Sequence, residues 1–114
     1  MIKRGMLAEQ QAAQYLQQQG LKLLQSNYRC RFGEIDLIMQ EGDTHVFVEV
    51  RLRSCAAFGG AAASIDARKQ AKLLKTAQFY LSGFKRIPPC RFDAVLMQST
   101  NLQQIEWVKS AFTA

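Results

Sequence analysis

The sequence predicts an α/β fold in which a mixed central sheet is flanked by helices, in the order α-β-β-β-α-β with a short final strand. Apolar residues recur with helical spacing over residues 6–19, and capping and stop signals delimit a second helix near residues 64–81. Strand-like runs lie between and after these segments. With 114 residues, of which 48% are hydrophobic, we expect one domain covering residues 1–114.

The first predicted helix covers residues 6–19 and ends at Gly20. Ala8, Ala12 and Leu16 define its apolar face, and Glu9 borders that face. Burial statistics favour a solvated glutamate at such a position, so a site role for Glu9 and a solvent-facing role are the two alternatives.

The central feature is an acidic hairpin over residues 34–53, preceded by a strand over residues 21–29. If the hairpin closes about Gly42 and Asp43, Asp36 lies opposite Glu49, and Glu34 lies opposite Arg51. Like charges placed directly opposite each other destabilise a hairpin, so a compensating positive charge is expected. A hard divalent cation such as Mg²⁺ is the natural candidate because it prefers carboxylate oxygens.

The remaining elements follow from turn and cap signals. Residues 54–63 are rich in small residues and indicate a loop, after which Ser64 is a candidate N-cap and Asp66 favours a helix N-terminus. The second helix should end near Leu81, before a Pro-Pro pair at residues 88–89. Residues 91–98 then predict a strand, and residues 106–108 predict a short edge strand.

The charge of the chain favours an anionic partner. The formal net charge is +6 and the pI is about 9.6, which indicates nucleic acid ahead of an acidic membrane surface. No apolar run is long enough to span a membrane, and no secretory signal precedes the first helix. Three cysteines without Cys-x-x-Cys spacing predict free thiols. We therefore expect a cytoplasmic protein with no membrane partner.

These motifs resemble a known family. Residues 33–38 read G-E-I-D-L-I and residues 47–53 read F-V-E-V-R-L-R, with Asn27-Tyr28-Arg29 before them and Arg91-Phe92-Asp93 after them. The whole pattern resembles the small bacterial YraN-type proteins of the restriction-endonuclease-like, or PD-(D/E)XK, nuclease superfamily, which is related to Holliday junction resolvases. The resemblance implies a restriction-endonuclease-like sheet and metal-dependent cleavage of DNA, with branched or structured DNA as a candidate substrate.

The resemblance also implies a metal site for Mg²⁺ or Mn²⁺. Asp36 and Glu49 are the first expected ligands, and the Val50 carbonyl is a further oxygen ligand. Glu34 and Glu9 are second choices, either as ligands or as residues that orient the inner ligands.

Position 51 departs from the superfamily pattern, which places a lysine two residues after the glutamate. Arg51 keeps its proton and presents a planar fork, so it can contact phosphate or pair with Glu34 but exchanges no proton with water. Lys69, in the second helix, is a candidate source of the missing ammonium group, and a solvent-facing lysine is the alternative.

A basic stripe on the second helix is a candidate nucleic-acid contact, although charged helix faces are commonly just solvated. The expected contact residues on this stripe and around the hairpin are Arg68, Lys72, Lys75, Arg29 and Arg53.

Three functions are compatible with these features. The first is a metal-dependent endonuclease, and the second is a nuclease-fold nucleic-acid-binding module in which cleavage is weak or lost because of Arg51. The third is an interaction protein whose acids are paired with arginines. The oligomeric state is open: resolvase relatives act as dimers because a four-way junction needs two cuts, so a homodimer is compatible with the resemblance, but the sequence identifies no dimer interface.

Overall fold

The computed structural model describes residues 4–53, 65–98 and 101–112, without the side chains of residues 4, 5, 53 and 102. Two helices and five strands lie in these ranges, in the order α-β-β-β-α-β-β. Their bounds are α1 Arg4–Gln18, β1 Lys22–Cys30, β2 Gly33–Glu41, β3 Thr44–Arg53, α2 Ala67–Leu81, β4 Cys90–Gln98 and β5 Asn101–Phe112. The predicted mixed sheet flanked by helices is therefore confirmed.

The five strands form one sheet in the order β1-β2-β3-β4-β5. All neighbouring strands are antiparallel except β3 and β4, which are parallel. The chain makes this parallel connection through α2, as a crossover between parallel strands requires. As a result, α2 begins at the same end of the sheet at which β3 ends.

Each helix covers one face of the sheet. Ala8, Ala12 and Leu16 of α1 pack on the face that carries Val46 and Val48. The apolar residues of α2 pack on the opposite face, and this second cluster includes Ile38, Phe47, Leu73, Ala77, Phe92, Ala94 and Leu96. Because β3 and β4 are buried on both faces, their sequences read as nearly continuous apolar runs.

Several boundaries differ from the sequence-based expectation. Asp66 is the N-cap of α2, and its Oδ1 accepts a hydrogen bond from the Lys69 backbone N–H at 2.8 Å. Ser64, the other cap candidate, and the predicted loop over residues 54–63 lie outside the described residues. The predicted short last strand is wrong in length, because β5 has 12 residues and pairs with β4 from Phe92 to Gln98.

Two further expectations can be compared with the structure. Cys30 and Cys90 are free cysteines, as predicted. None of the helices described is both long and apolar enough to cross a membrane.

Candidate functional site

The sheet divides into a fork beside the acidic residues. Paired residues of β2 and β3 extend from Glu41 and Thr44 only as far as Leu37 and Val48. Beyond that point β2 continues its pairing with β1 down to Gly33, and β3 continues its pairing with β4 up to Arg53. The two halves of the sheet therefore separate where the acids begin.

The register predicted for the β2–β3 hairpin is the observed one, but the predicted pair of Asp36 and Glu49 is not formed. The paired positions place Asp36 level with Glu49, yet these residues lie just past the last pair, Leu37 and Val48. Asp36 Oδ2 instead accepts a hydrogen bond from the Val50 backbone N–H at 2.9 Å. The aspartate side chain thus takes a place that a β2 carbonyl would occupy in a continuous ladder, and the repulsive pair is moved into the fork.

The Val50 carbonyl belongs to this opening. In an antiparallel pair, the N–H and C=O groups of one residue point towards the same neighbouring strand. Since the Val50 N–H bonds to Asp36, the Val50 carbonyl is also directed towards β2, where the ladder has ended. This orientation suits the predicted role of that carbonyl as an oxygen ligand.

Glu49 is the buried acid of the site. It is 7% exposed, and its carboxyl group lies within hydrogen-bonding range of that of Asp36. The pKa of Glu49 is raised to about 8, first by burial and then by the hydrogen bond and charge of Asp36, whereas Lys69 and Arg51 act to lower it. Two carboxyl groups this close need a shared proton or a cation between them.

Lys69 approaches the pair from α2. Its Nζ lies 3.3 Å from Glu49 Oε2, although Glu49 Oε2 has no hydrogen-bond partner in the described chain. The contact is therefore an ion pair without hydrogen-bond geometry. Because Lys69 lies in the first turn of α2, where the helix dipole disfavours a cation, Glu49 is its natural counter-charge. The Lys69 side chain is 34% exposed, so it contacts both the acid pair and solvent.

Arg51 lies on the same strand as Glu49, two residues further along. It is partly buried, and its Nε is a buried donor that makes no hydrogen bond within the described ranges. Its positive charge lowers the pKa of Glu49. The alternative pairing of Arg51 with Glu34 is wrong, because Glu34 Oε2 is 3.0 Å from Arg29 Nε.

Glu9 reaches the site from α1. Burial raises the pKa of Glu9, the charges of Asp36 and Glu34 add to that rise, and a hydrogen bond with the Asn27 side chain opposes it. Glu9 Oε1 is buried without a hydrogen-bond partner among the residues described. Beside Glu9, a groove of about 370 Å³ opens between α1 and β1.

The arrangement fits a cation held by few protein ligands. Over the described ranges, no three His, Cys, Asp or Glu side chains are gathered tightly enough to enclose a metal ion. Asp36 and Glu49 nevertheless meet, and Glu49 Oε2 has no hydrogen-bond partner among the residues described. Mg²⁺ in proteins is commonly bound by one or two carboxylates and keeps several water ligands, so the two carboxylates of Asp36 and Glu49 suit its usual coordination. Glu34, the second-choice ligand, is paired with Arg29.

The structure separates the predicted nucleic-acid contacts into two groups. Arg68, Lys72 and Lys75 are exposed along one side of α2, and Arg29 is exposed on β1. The side chain of Arg53 lies outside the described residues. Tyr28, which precedes Arg29 on β1, packs against Tyr80 with ring centroids 5.1 Å apart.

Sequence reasoning missed the importance of Asp93 and Asn27. Asp93 is 1% exposed and accepts hydrogen bonds from Arg91 Nε, Trp107 Nε1 and the Ser110 N–H. Asn27 has a left-handed φ of 53° and hydrogen-bonds Glu9. An asparagine before Tyr-Arg in a strand was the only local signal, since asparagine tolerates this conformation.

Comparison with known proteins identifies the family. The profile of Uncharacterised protein family UPF0102 matches residues 8–97. UPF0102 protein NE0719 of Nitrosomonas europaea is 62% identical over 96% of this chain and 92% of its own length. A UPF0102 protein of Methylobacillus flagellatus is 55% identical over 94% of both chains. The chain therefore belongs to Uncharacterised protein family UPF0102, which confirms the YraN-type resemblance at the level of the family.

Proposed function

We propose that this protein is a metal-dependent endonuclease of the PD-(D/E)XK type that acts on DNA, with branched or structured DNA as the expected substrate. One observation carries the proposal: Asp36 and Glu49 meet in the fork between β2 and β3, with the Lys69 ammonium 3.3 Å from Glu49. Two acids and one ammonium group at a gap in a sheet suit hydrolysis of a phosphodiester.

In this proposal the residues around the fork have distinct roles in holding metal, water and phosphate. Asp36, Glu49 and the Val50 carbonyl would hold Mg²⁺ or Mn²⁺, with Glu9 orienting water from the α1 side. A bound divalent ion supplies an activated water and neutralises charge on the phosphate. Lys69, 3.3 Å from Glu49, would supply the ammonium charge that the superfamily lysine provides, and Arg51 would add a second cation for the phosphate.

Cleavage assays test the proposal directly. Linear, flapped and four-way DNA should be incubated with the wild-type chain in Mg²⁺ or Mn²⁺, and product should form on at least one substrate. Asp36→Asn and Lys69→Gln should each lower the rate by at least about 100-fold, as losses of electrostatic stabilisation do. Lys85→Gln, which changes an exposed lysine, is the matched control and should keep the rate.

A binding module without cleavage is the second candidate, and one observation favours it. Lys69 already offsets the charge of Glu49, so the acids are partly neutralised without a cation. Arg51→Lys separates the two candidates because it restores the usual lysine. If both the wild type and Arg51→Lys bind DNA yet cleave no substrate, the binding module replaces the endonuclease.

A further inference from the structure

An exposed pair of phenylalanines lies on the face of the sheet that α2 covers. Phe32, in the turn between β1 and β2, and Phe79 of α2 are 36% and 43% exposed. Their ring centroids are 5.8 Å apart, and the Arg31 guanidinium lies 4.9 Å from the Phe32 centroid and 6.0 Å from the Phe79 centroid. We call Arg31, Phe32 and Phe79 the aromatic patch.

The aromatic patch is held in place by the turn that carries it. Gly33 has a φ of 148°, and a Cβ at this position would lie 3.1 Å from Thr76 Oγ1. Thr76 is buried, and its hydroxyl donates to the Lys72 carbonyl of the preceding helical turn at 2.8 Å. The turn therefore rests closely against α2, and the two rings stay exposed on a supported surface.

The aromatic patch continues the basic stripe of α2. Arg68, Lys72, Lys75 and Phe79 are separated by four, three and four residues, so they share one side of the helix, and all four are exposed. Lys69, which contacts Glu49, lies beside the start of this stripe. From Lys69 to Phe79, ten residues at 1.5 Å each span about 15 Å. The stripe thus leads from the carboxylate pair to the aromatic patch.

The surroundings of the rings indicate what they bind. Exposed rings among apolar neighbours suit a protein partner, but these rings are flanked by cations and one is covered by a guanidinium group. A ligand with regularly spaced negative charges and flat faces matches both features. Nucleobases stack on aromatic and guanidinium planes while their phosphates contact basic residues. Bases inside a duplex are already stacked on each other, so only unpaired bases can do this.

We propose that the aromatic patch binds unpaired bases of a nucleic acid whose phosphates lie along Arg68, Lys72 and Lys75. This inference rests on the proposed function and specifies its substrate class. The preferred DNA has a single-stranded arm, flap or opened branch beside a duplex. The patch is a binding feature and takes no part in the chemistry at Asp36 and Glu49.

Equilibrium binding without divalent metal tests this inference apart from cleavage. Fluorescence anisotropy should compare a forked DNA that has single-stranded arms with a blunt duplex of equal length. Phe32→Leu and Phe79→Leu keep apolar bulk but remove the flat ring, and each should weaken forked-DNA binding about tenfold. Duplex affinity should change less than about twofold, because duplex binding depends on phosphates. Ile87→Ala, at an apolar residue that is 72% exposed, is the control and should change neither affinity.

A second measurement reports stacking itself. A fluorescent 2-aminopurine base in the single-stranded arm should be quenched on binding to the wild type and not to Phe79→Leu. Equal loss of forked and duplex affinity in the leucine variants would overturn the inference. So would a change in sedimentation of the free protein without a change in DNA affinity, which would make the patch a contact between chains. If the wild type binds no DNA at low salt, the proposed function itself fails; if only the fork preference is missing, this inference alone fails.

Discussion

Asp36 and Glu49 are two acids at neighbouring positions of one hairpin, and the structure avoids placing them directly opposite each other in the ladder. Placed across a regular ladder, the two side chains would repel each other. The ladder instead ends at Leu37 and Val48, and the Asp36 carboxylate accepts the Val50 N–H. The hydrogen bond to the backbone holds Asp36 in the fork, while burial leaves Glu49 in need of a proton or a cation.

Divalent cations should stabilise the protein through this pair. At ten times its dissociation constant, a ligand bound only by the folded chain adds about 1.4 kcal/mol, or roughly 5 °C in Tm. We expect this rise in Mg²⁺ or Mn²⁺ for the wild type and none for Asp36→Asn, measured by thermal unfolding. Glu34→Gln is the control and should keep the rise, because Glu34 is paired with Arg29. An unchanged wild-type Tm would contradict the metal site.

The pH dependence of stability without metal should report Glu49. Because its pKa is raised from 4.5 to about 8, the folded chain holds a proton that the unfolded chain releases between these values. The resulting stabilisation is fully present below pH 4.5 and is lost as the pH rises through about 8. Urea unfolding should show that, relative to Glu49→Gln, the wild type loses at least about 1.4 kcal/mol between pH 5 and 8, the free energy of one pKa unit. Parallel curves for the two proteins would argue against a buried protonated Glu49.

At the scale of elements, α2 connects packing with the site. Its apolar side, which includes Leu73 and Ala77, covers one face of the sheet. Its first turn brings Lys69 to Glu49, and its exposed side carries the basic stripe. Side chains three and four positions apart lie on the same side of a helix. One orientation of α2 about its axis therefore packs its apolar side on the sheet, brings Lys69 to Glu49 and exposes the basic stripe.

Salt dependence should identify the stripe as a phosphate contact. Lys72→Ala combined with Lys75→Ala removes two exposed charges, so the slope of log affinity against log salt should become shallower by about two units. Linear and branched DNA should be affected alike, which anisotropy titrations over a range of salt concentrations will measure. Lys22→Ala with Lys85→Ala removes two exposed lysines from outside α2 and is the matched control, expected to leave the slope nearly unchanged. An equal change in both double variants would mean that the stripe is not a distinct contact.

At the scale of the whole molecule, a partly buried hydrogen-bond network centred on Asp93 joins strands at the end of the sheet opposite the fork. Arg91 Nη1 donates to Glu41 Oε1 at 2.6 Å, beside the β2–β3 turn, and Arg91 Nε donates to Asp93 at 3.0 Å. Asp93 in turn accepts from Trp107 and Ser110 of β5. The network joins β2, β4 and β5 at the end of the sheet where the β2–β3 pairing is intact.

Asp93→Asn should therefore destabilise the fold far more than removal of an exposed pair. Loss of one partner from a buried ion pair costs about 3 kcal/mol or more. Glu34→Gln breaks the exposed pair with Arg29 and should cost less than about 1 kcal/mol. Urea unfolding of both variants measures the difference, and similar values for the two would show that the Asp93 network is dispensable.

The sequence by itself determined the amphipathic helices and the hairpin register that places Asp36 level with Glu49, because helix phase and strand alternation are local properties. Only the tertiary structure decided where the β2–β3 ladder ends, because beyond that point β2 pairs only with β1 and β3 pairs only with β4. It also decided the contact of Lys69 with Glu49, because a crossover helix places residues 20 positions apart side by side. The length of β5 and the burial of Asp93 on β4 likewise follow from the pairing of β4 with β5, which no local pattern encodes.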